Sequence, residues 1–222
     1  MKLIIKAVLF DLDGTLLNRD ASVKHFIESQ YDRLIEYLSH IPQEQYISRF
    51  LELDNKGYVW KDIVYQQLTE EFYINLITWE ALLQDYMEQF HKNCIPFPNL
   101  KQTLTQLKSK SIRIGVITNG LGQFQMDNIR ALGIESLFDV ILISEWEGIK
   151  RIKKPNQAIF RKALSELGVA PHESIYIGDH PINDVKAANN AGMISVWKRD
   201  DAWSCDDADF IIDDLSEVLK LT

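Results

Sequence analysis

The sequence predicts an α/β protein in which helices flank a mostly parallel sheet, with an all-helical segment inserted after the first strand. Short apolar runs alternate with amphipathic helical patterns near the start of the chain and again from about residue 97 onward. Strand–helix–strand alternation is typical of a parallel sheet covered by helices. The stretch between these two regions contains only helical periodicity. Together these observations predict a Rossmann-like core interrupted by one helical insertion.

Each apolar run of four to eight residues between turn signals predicts a buried strand. The runs are Leu3–Phe10, Ile112–Ile117, Val140–Ile143, Ser174–Ile177 and Met193–Trp197, and Asp209–Ile212 is a candidate edge strand. Helical patterns lie between them at about 99–110, 123–132, 156–168, 182–191 and 214–221. The elements therefore alternate through the whole C-terminal part of the chain.

The inserted segment has helical spacing throughout. Ile27, Tyr31, Leu34, Leu38 and Ile41 recur at steps of four and three, which places them on one face of an amphipathic helix. The same spacing recurs in Val64, Leu68 and Phe72, and in Trp79, Leu82, Leu83, Tyr86 and Phe90. The prolines of Ile95–Pro98 end a helix and stiffen the chain. We expect a core of residues 1–17 and 96–222 and a helical domain of residues 18–95.

Composition excludes several classes of protein. The 222 residues carry a net charge of −8, which disfavours broad binding to nucleic acid or to an acidic membrane. No stretch approaches the ~20 apolar residues needed to span a bilayer. Lys6 interrupts the N-terminal apolar run, which therefore does not resemble a signal peptide. The two cysteines form no metal-spaced cluster and indicate free thiols in a reducing compartment. A cytoplasmic location is the default expectation.

Two acids follow the first predicted strand. Asp11 and Asp13 are two residues apart, so in an extended segment their side chains point the same way. The carboxylates repel each other unless a cation or a shared proton relieves them. In open α/β sheets, ligands bind beyond the carboxyl ends of the strands. This pair therefore indicates a nucleophile, an acid/base group and a metal site in one place.

Polar groups also follow the other strands of the predicted sheet. A hydroxyl, an amide and backbone N–H groups come from Thr118, Asn119 and Gly120, and suit an oxyanion. Lys154 directly precedes a proline that opens a helix. The fourth strand leads to Asp179 and Asp184. A parallel sheet brings these ends together, and four carboxylates against one or two lysines favour a hard divalent cation, with Mg²⁺ the best candidate.

The ordered motifs resemble the haloacid dehalogenase-like (HAD) superfamily, in the branch with a helical cap inserted after the first core strand. They are Asp11-Leu12-Asp13-Gly14-Thr15, Thr118-Asn119-Gly120, Lys154-Pro155 and Gly178-Asp179 followed by Asp184. The resemblance implies that Asp11 is a nucleophile forming an aspartyl-phosphate and that Asp13 is the general acid and base. It implies Mg²⁺ ligation by Asp11, Asp179 and the backbone carbonyl of Asp13, with Asp184 either ligating directly or orienting a metal-bound water. Thr118, Asn119 and Gly120 would bind phosphoryl oxygens, and Lys154 would neutralise charge.

The resemblance implies a Mg²⁺-dependent phosphatase acting on a small phosphorylated metabolite, as a monomer or small homo-oligomer. Family members that cleave carbon–halogen bonds lack the second aspartate, so Asp13 favours phosphoryl transfer. A sugar phosphomutase and a catalytically silent binding module of the same fold remain alternatives. The segment before Pro155 is unusually basic, so Lys153 competes with Lys154 as the motif lysine. Lys150 or Arg151 is a candidate for binding a second anionic group, although a solvated loop is the simpler interpretation.

Overall fold

The computed structural model describes residues 4–147 and 152–222. The chain divides into two compact units. One consists of Met1–Asn18 and Pro96–Thr222, and the other is the continuous segment Arg19–Ile95. We refer to them as the sheet unit and the helical unit. The helical unit begins one residue after the boundary we expected from the sequence. Within the described residues, no helix is long and apolar enough to cross a bilayer.

The sheet unit is built on six parallel strands, which confirms the predicted α/β fold. The strands are β1 Ala7–Phe10, β2 Arg113–Thr118, β3 Val140–Ile143, β4 Ser174–Gly178, β5 Ile194–Lys198 and β6 Phe210–Ile212. Their order is β3-β2-β1-β4-β5-β6, so β1 lies at the centre between β2 and β4. In the register, Phe10 pairs with Val116 on one side and Ile177 on the other. Because all pairs are parallel, the polar residues that follow these strands meet at one edge.

The α-helices are distributed over both units. They are α1 Arg19–Arg33, α2 Ile35–Leu38, α3 Gln43–Asp54, α4 Lys61–Glu71, α5 Trp79–Gln89, α6 Leu100–Ser109, α7 Gly122–Ala131, α8 Gln157–Leu167 and α9 Ala187–Asn190. The apolar face of α8 packs on the sheet through residues such as Phe160 and Leu164, which join Leu9 and Tyr176 in one buried cluster. This packing fixes the chain that precedes α8 against the middle of the sheet.

Three predicted helices differ from those in the structure. Residues 182–191 form a π-helix at Pro181–Lys186 followed by the short α9, and residues 214–221 form a 3₁₀-helix at Leu215–Lys220. The stripe from Ile27 to Ile41 is not one helix, because α1 ends at Arg33 and α2 makes only one turn. The Tyr31 hydroxyl donates a hydrogen bond of 2.6 Å to the Ile41 carbonyl. In one straight helix these two residues would lie about 15 Å apart along the axis. The chain therefore turns back within this segment.

The helical unit has its own core, centred on aromatic side chains. Phe26, Tyr46, Phe50 and Tyr65 are fully buried. The buried Gln30 satisfies its amide within this core by donating to the Leu82 carbonyl at 3.1 Å, and it accepts from the Tyr65 hydroxyl at 2.8 Å. Burial of several aromatic rings around a satisfied polar group allows this unit to form a compact core of its own.

Candidate active site

The site begins where β1 ends. Asp11 keeps its backbone paired to the sheet, because its N–H donates to the Ile177 carbonyl of β4 at 2.8 Å. Its carboxylate is buried and accepts a hydrogen bond from the ammonium of Lys154. Burial raises the pKa of Asp11 well above its ordinary value, the Lys154 charge opposes this, and the acids Asp184 and Asp179 add to it. The Lys154 ammonium is the neighbouring charge that favours the ionised form of this carboxylate.

Lys154 lies at the centre of the site. Its ammonium contacts Asp11 and also Asp184, at 2.6 Å, and it donates to the Tyr176 hydroxyl at 3.1 Å. Burial by itself would lower the pKa of Lys154, but the two carboxylates raise it well above its ordinary value. Lys153 is exposed to solvent. Of the two candidate lysines, Lys154 is the one that the structure brings to the acids.

The backbone of Lys154 is fixed by Asn119. The Asn119 amide nitrogen donates to the Lys154 carbonyl at 3.1 Å, and the amide oxygen accepts from the Lys154 N–H at 2.9 Å. This pair of hydrogen bonds joins the end of β2 to the segment that leads into α8. In the structure Asn119 thus positions the lysine, and its predicted contact with phosphoryl oxygens stays a prediction.

Asp184 reaches the site because Gly178 has no side chain. A Cβ atom on Gly178 would lie 2.3 Å from the Asp184 Cβ and Cγ atoms, which no ordinary contact permits. The Asp184 carboxylate is buried and also accepts from the His180 N–H at 3.0 Å. Its other oxygen contacts Lys154. The π-helix therefore turns this acid inward toward the strand ends.

Asp179 lies beside the turn that follows β1. Its carboxylate packs against Gly14, where a Cβ atom would approach within 2.5 Å of the carboxylate and where the backbone φ is +85°. The Thr15 hydroxyl is 3.5 Å from the Asp179 Oδ1 atom. Burial, followed by the charge of Asp184, raises the pKa of Asp179 to about 7. The Asp13-Gly14-Thr15 turn and β4 together fix this acid in place.

Three of the predicted metal ligands form one group. Asp11, Asp179 and Asp184 each offer a carboxylate oxygen, and these atoms all lie within 4.8 Å of one another. Lys154 offsets at most one of the three negative charges. Hard oxygen donors at this spacing with excess negative charge fit a divalent cation such as Mg²⁺. The Asp13 carboxylate does not belong to this group, and metal binding by the backbone carbonyl of Asp13 stays a prediction.

Asp13 has a different set of partners from Asp11. Its Oδ2 atom accepts from the side-chain amide of Gln125 at 2.6 Å. The same amide lies 3.3 Å from the Thr118 hydroxyl, which is buried at the end of β2. The Gly120 N–H donates to the Ser144 hydroxyl at 3.1 Å, so in this conformation that N–H is already bonded. The two acids of the first motif are therefore held by different groups.

Two residues of the site, Tyr176 and Gln125, were not predicted from the sequence. Tyr176 occupies an apolar run, so its hydroxyl gave no separate signal, although it contacts Lys154 and donates to the Ile117 carbonyl at 3.2 Å. Gln125 lies on the buried face of α7. A polar residue at a core position of the predicted helix was the one feature of the sequence that could have indicated it. Lys150 and Arg151, considered for a second anionic group, lie outside the described residues.

Comparison with known proteins identifies the family of the chain. Residues 8–198 match the family model of haloacid dehalogenase-like hydrolases. The chain belongs to the haloacid dehalogenase-like hydrolases. This hydrolase is 31% identical to the glyceraldehyde 3-phosphate phosphatase of Methanopyrus kandleri over 199 residues. The aligned region covers 87% of this hydrolase and 83% of the relative.

Two further relatives cover nearly the whole hydrolase. It is 30% identical to the putative pyrophosphatase PpaX of Clostridium perfringens, over 98% of this chain and 97% of that one. Among solved structures, a HAD phosphatase from Thermococcus onnurineus has 27% sequence identity and a TM-score of 0.67, with coverage of 98% and 97%. The similarity thus extends over both units of the hydrolase.

Proposed function

We propose that this hydrolase is a Mg²⁺-dependent phosphatase that cleaves the phosphate ester of a small metabolite through an aspartyl-phosphate at Asp11. The observation that carries the proposal is the separation of the two motif acids. Asp11 lies with Lys154, Asp179 and Asp184, whereas Asp13 is held apart by Gln125. Pairs of carboxylates in different environments are typical of sites where one acid attacks and the other transfers protons.

The surroundings of Asp11 are suited to an attack of its carboxylate on phosphorus. The ammonium of Lys154 directs charge toward the attacked phosphoryl group, and preorganised charges of this kind are typically worth ~10²–10³ in rate. Asp11, Asp179, Asp184 and the Asp13 carbonyl would hold Mg²⁺. When bound, Mg²⁺ supplies positive charge that offsets the phosphoryl oxygens and keeps Asp11 ionised.

Asp13 would act in both halves of the reaction. As the phosphorus–oxygen bond of the ester breaks, Asp13 gives its proton to the leaving oxygen. It then takes a proton from the water that attacks the phosphorus of the aspartyl-phosphate. Proton transfer by a positioned side chain contributes ~10²–10⁴-fold. Thr118, at the end of β2, contacts the same Gln125 amide as Asp13 and would contact a phosphoryl oxygen.

The names of the relatives direct the choice of substrate. The relatives in Methanopyrus kandleri and Clostridium perfringens are named for glyceraldehyde 3-phosphate and for pyrophosphate. We place glyceraldehyde 3-phosphate, a three-carbon monoester, first and pyrophosphate second, with phosphoglycolate, sugar phosphates and nucleoside monophosphates as further candidates. Residues 18–95 are proposed as the cap domain of the family and residues 1–17 and 96–222 as the catalytic core.

The test is a panel of these phosphate compounds, assayed with Mg²⁺ and with EDTA, with kcat/KM measured for each. The proposal expects release of inorganic phosphate that requires Mg²⁺ and is lost in Asp11→Asn. An isomeric phosphate ester in place of inorganic phosphate would assign the protein as a mutase. A folded protein that turns over none of the panel, nor p-nitrophenyl phosphate, would assign it as a binding module.

A further inference from the structure

The buried face of α7 carries a polar side chain where an apolar one would ordinarily pack. Gln125 is 4% exposed, and Asn128 lies fully buried one turn further along the same face. The Asn128 amide donates to the Gln125 Oε1 atom at 3.3 Å. Burying amides in this way is costly unless their hydrogen bonds are made. The partners of Gln125 therefore explain why the amide is there.

The amide nitrogen of Gln125 faces acceptors. It lies 2.6 Å from the Asp13 Oδ2 atom, 3.1 Å from the Asn119 carbonyl and 3.3 Å from the Thr118 hydroxyl. An amide has two hydrogens to donate, and the two shortest contacts are to the carboxylate and the carbonyl. The reverse orientation would turn an amide oxygen toward both acceptors. The orientation of Gln125 is thus determined by its surroundings, and its strongest contact is with Asp13.

We propose that Gln125 is a positioning residue for Asp13, holding the Oδ2 atom so that the Oδ1 atom faces the leaving group and carries the transferred proton. This inference rests on the function proposed above. As Asp11 forms its bond to phosphorus, the bond from phosphorus to the leaving oxygen breaks and the Oδ1 proton passes to that oxygen. The proton is replaced from the water that later attacks the phosphorus.

A neutral amide is suited to this role. A lysine or arginine at this position would add a full positive charge next to the carboxylate. An amide fixes the direction of the carboxylate without adding a full charge. The amide is itself fixed, on one side by Asn128 and on the other by the Asn119 carbonyl. This support limits the rotation of Gln125 and hence of Asp13.

The experiment compares Gln125→Met, which retains volume but has no donor, and Gln125→Glu, which retains shape but replaces the donor. The control is Gln123→Met on the same helix, because the Gln123 amide also donates to a carboxylate, Asp127 Oδ1 at 2.8 Å, but is exposed. For each variant kcat/KM is measured with the best alkyl phosphate of the panel and with p-nitrophenyl phosphate. Circular dichroism and Tm establish that each variant is folded.

The two substrates separate a positioning role from a packing role. Nitrophenolate leaves without protonation, whereas an alkoxide needs the Asp13 proton. We expect both Gln125 variants to lose about 10–10² in kcat/KM for the alkyl ester, a part of the ~10²–10⁴ due to general acid catalysis, and less than about threefold for p-nitrophenyl phosphate. Gln123→Met should match the wild type. Equal losses on both substrates would overturn the proposal in favour of packing.

A structural measurement keeps this inference separate from the proposed function. If the wild-type protein is inactive on every ester, the phosphatase proposal is refuted and the kinetics give no information on Gln125. Whether or not the protein is active, a crystal structure of Gln125→Met is compared with that of the wild type. We expect the Asp13 carboxylate to rotate away from its wild-type position. An unmoved carboxylate would overturn the positioning role.

Discussion

Replacing Lys154 by methionine tests the electrostatics of the site most fully. The substitution retains most of the side-chain volume but removes the ammonium that contacts Asp11 and Asp184. Both carboxylates are then buried without their counter-charge. Removing one partner of a buried ion pair typically destabilises a protein by about 3–5 kcal/mol. We expect a loss of that size in the free energy of unfolding when the metal is chelated with EDTA.

Magnesium should reduce this loss. In the wild type the Lys154 ammonium lies among the same carboxylates that would bind the ion, so it repels the ion. Without it, Mg²⁺ should bind at least tenfold more tightly, which adds about 1.4 kcal/mol of stabilisation at saturating metal. The variant should nevertheless lose about 10²–10³ in kcat, because Mg²⁺ does not replace the lysine at the phosphoryl group.

The assay is urea unfolding, followed by circular dichroism and tryptophan fluorescence, in EDTA and in millimolar Mg²⁺. Lys153→Met is the matched control, since this neighbouring lysine is exposed and its replacement should change stability by less than about 0.5 kcal/mol. The reasoning would be refuted if Lys154→Met cost less than about 1 kcal/mol in EDTA. It would equally be refuted if Mg²⁺ stabilised the wild type more than the variant.

Other predictions concern the turn, the sheet and the metal. In Gly14→Ala, the new Cβ atom would clash with the Asp179 carboxylate, and residue 14 would have to keep a backbone φ of +85°. The Mg²⁺ concentration for half-maximal activity should therefore rise, and the free energy of unfolding should fall by about 1–2 kcal/mol. An unchanged Mg²⁺ titration would contradict this prediction. Burial opposes ionisation of Asp139, but hydrogen bonds from Lys108 and the Ile114 N–H lower its pKa overall. This stabilisation is present above the unfolded pKa of ~3.9 and is lost as the pH falls through the folded pKa. Asp139→Asn should therefore be less stable than wild type at pH 7, with a gap that closes below about pH 4 in urea titrations; a gap independent of pH would exclude the charge as its cause. EDTA should abolish turnover and added Mg²⁺ restore it, whereas activity that survives chelation would rule out the metal assignment.

The sequence predicted the parts of the fold that depend on hydrophobic periodicity. Alternating apolar runs gave the strands of the sheet, including the edge strand at Phe210–Ile212. Asp11 and Asp179 directly follow two neighbouring strands, so parallel pairing was sufficient to predict that these two acids lie close together. Local composition was sufficient at these places because it agrees with the tertiary packing.

Tertiary contacts decided the features that periodicity could not predict. The π-helix at Pro181–Lys186 turns Asp184 inward against Gly178, a close approach that no local pattern encodes. The hydroxyl of Tyr176 lies within an apolar strand, where periodicity reports only burial. Gln125 is distant in sequence from Asp13, so their hydrogen bond exists only once α7 has packed on the sheet.

Chemical trapping of the aspartyl-phosphate tests the central claim most directly. The hydrolase is mixed with its best substrate and Mg²⁺ and treated at once with borohydride, which reduces an acyl phosphate to an alcohol, and the peptides are sequenced by mass spectrometry. The account predicts homoserine in place of aspartate at residue 11, dependent on both substrate and Mg²⁺. Turnover with residue 11 unmodified, or with homoserine at position 13, 179 or 184 instead, would contradict it.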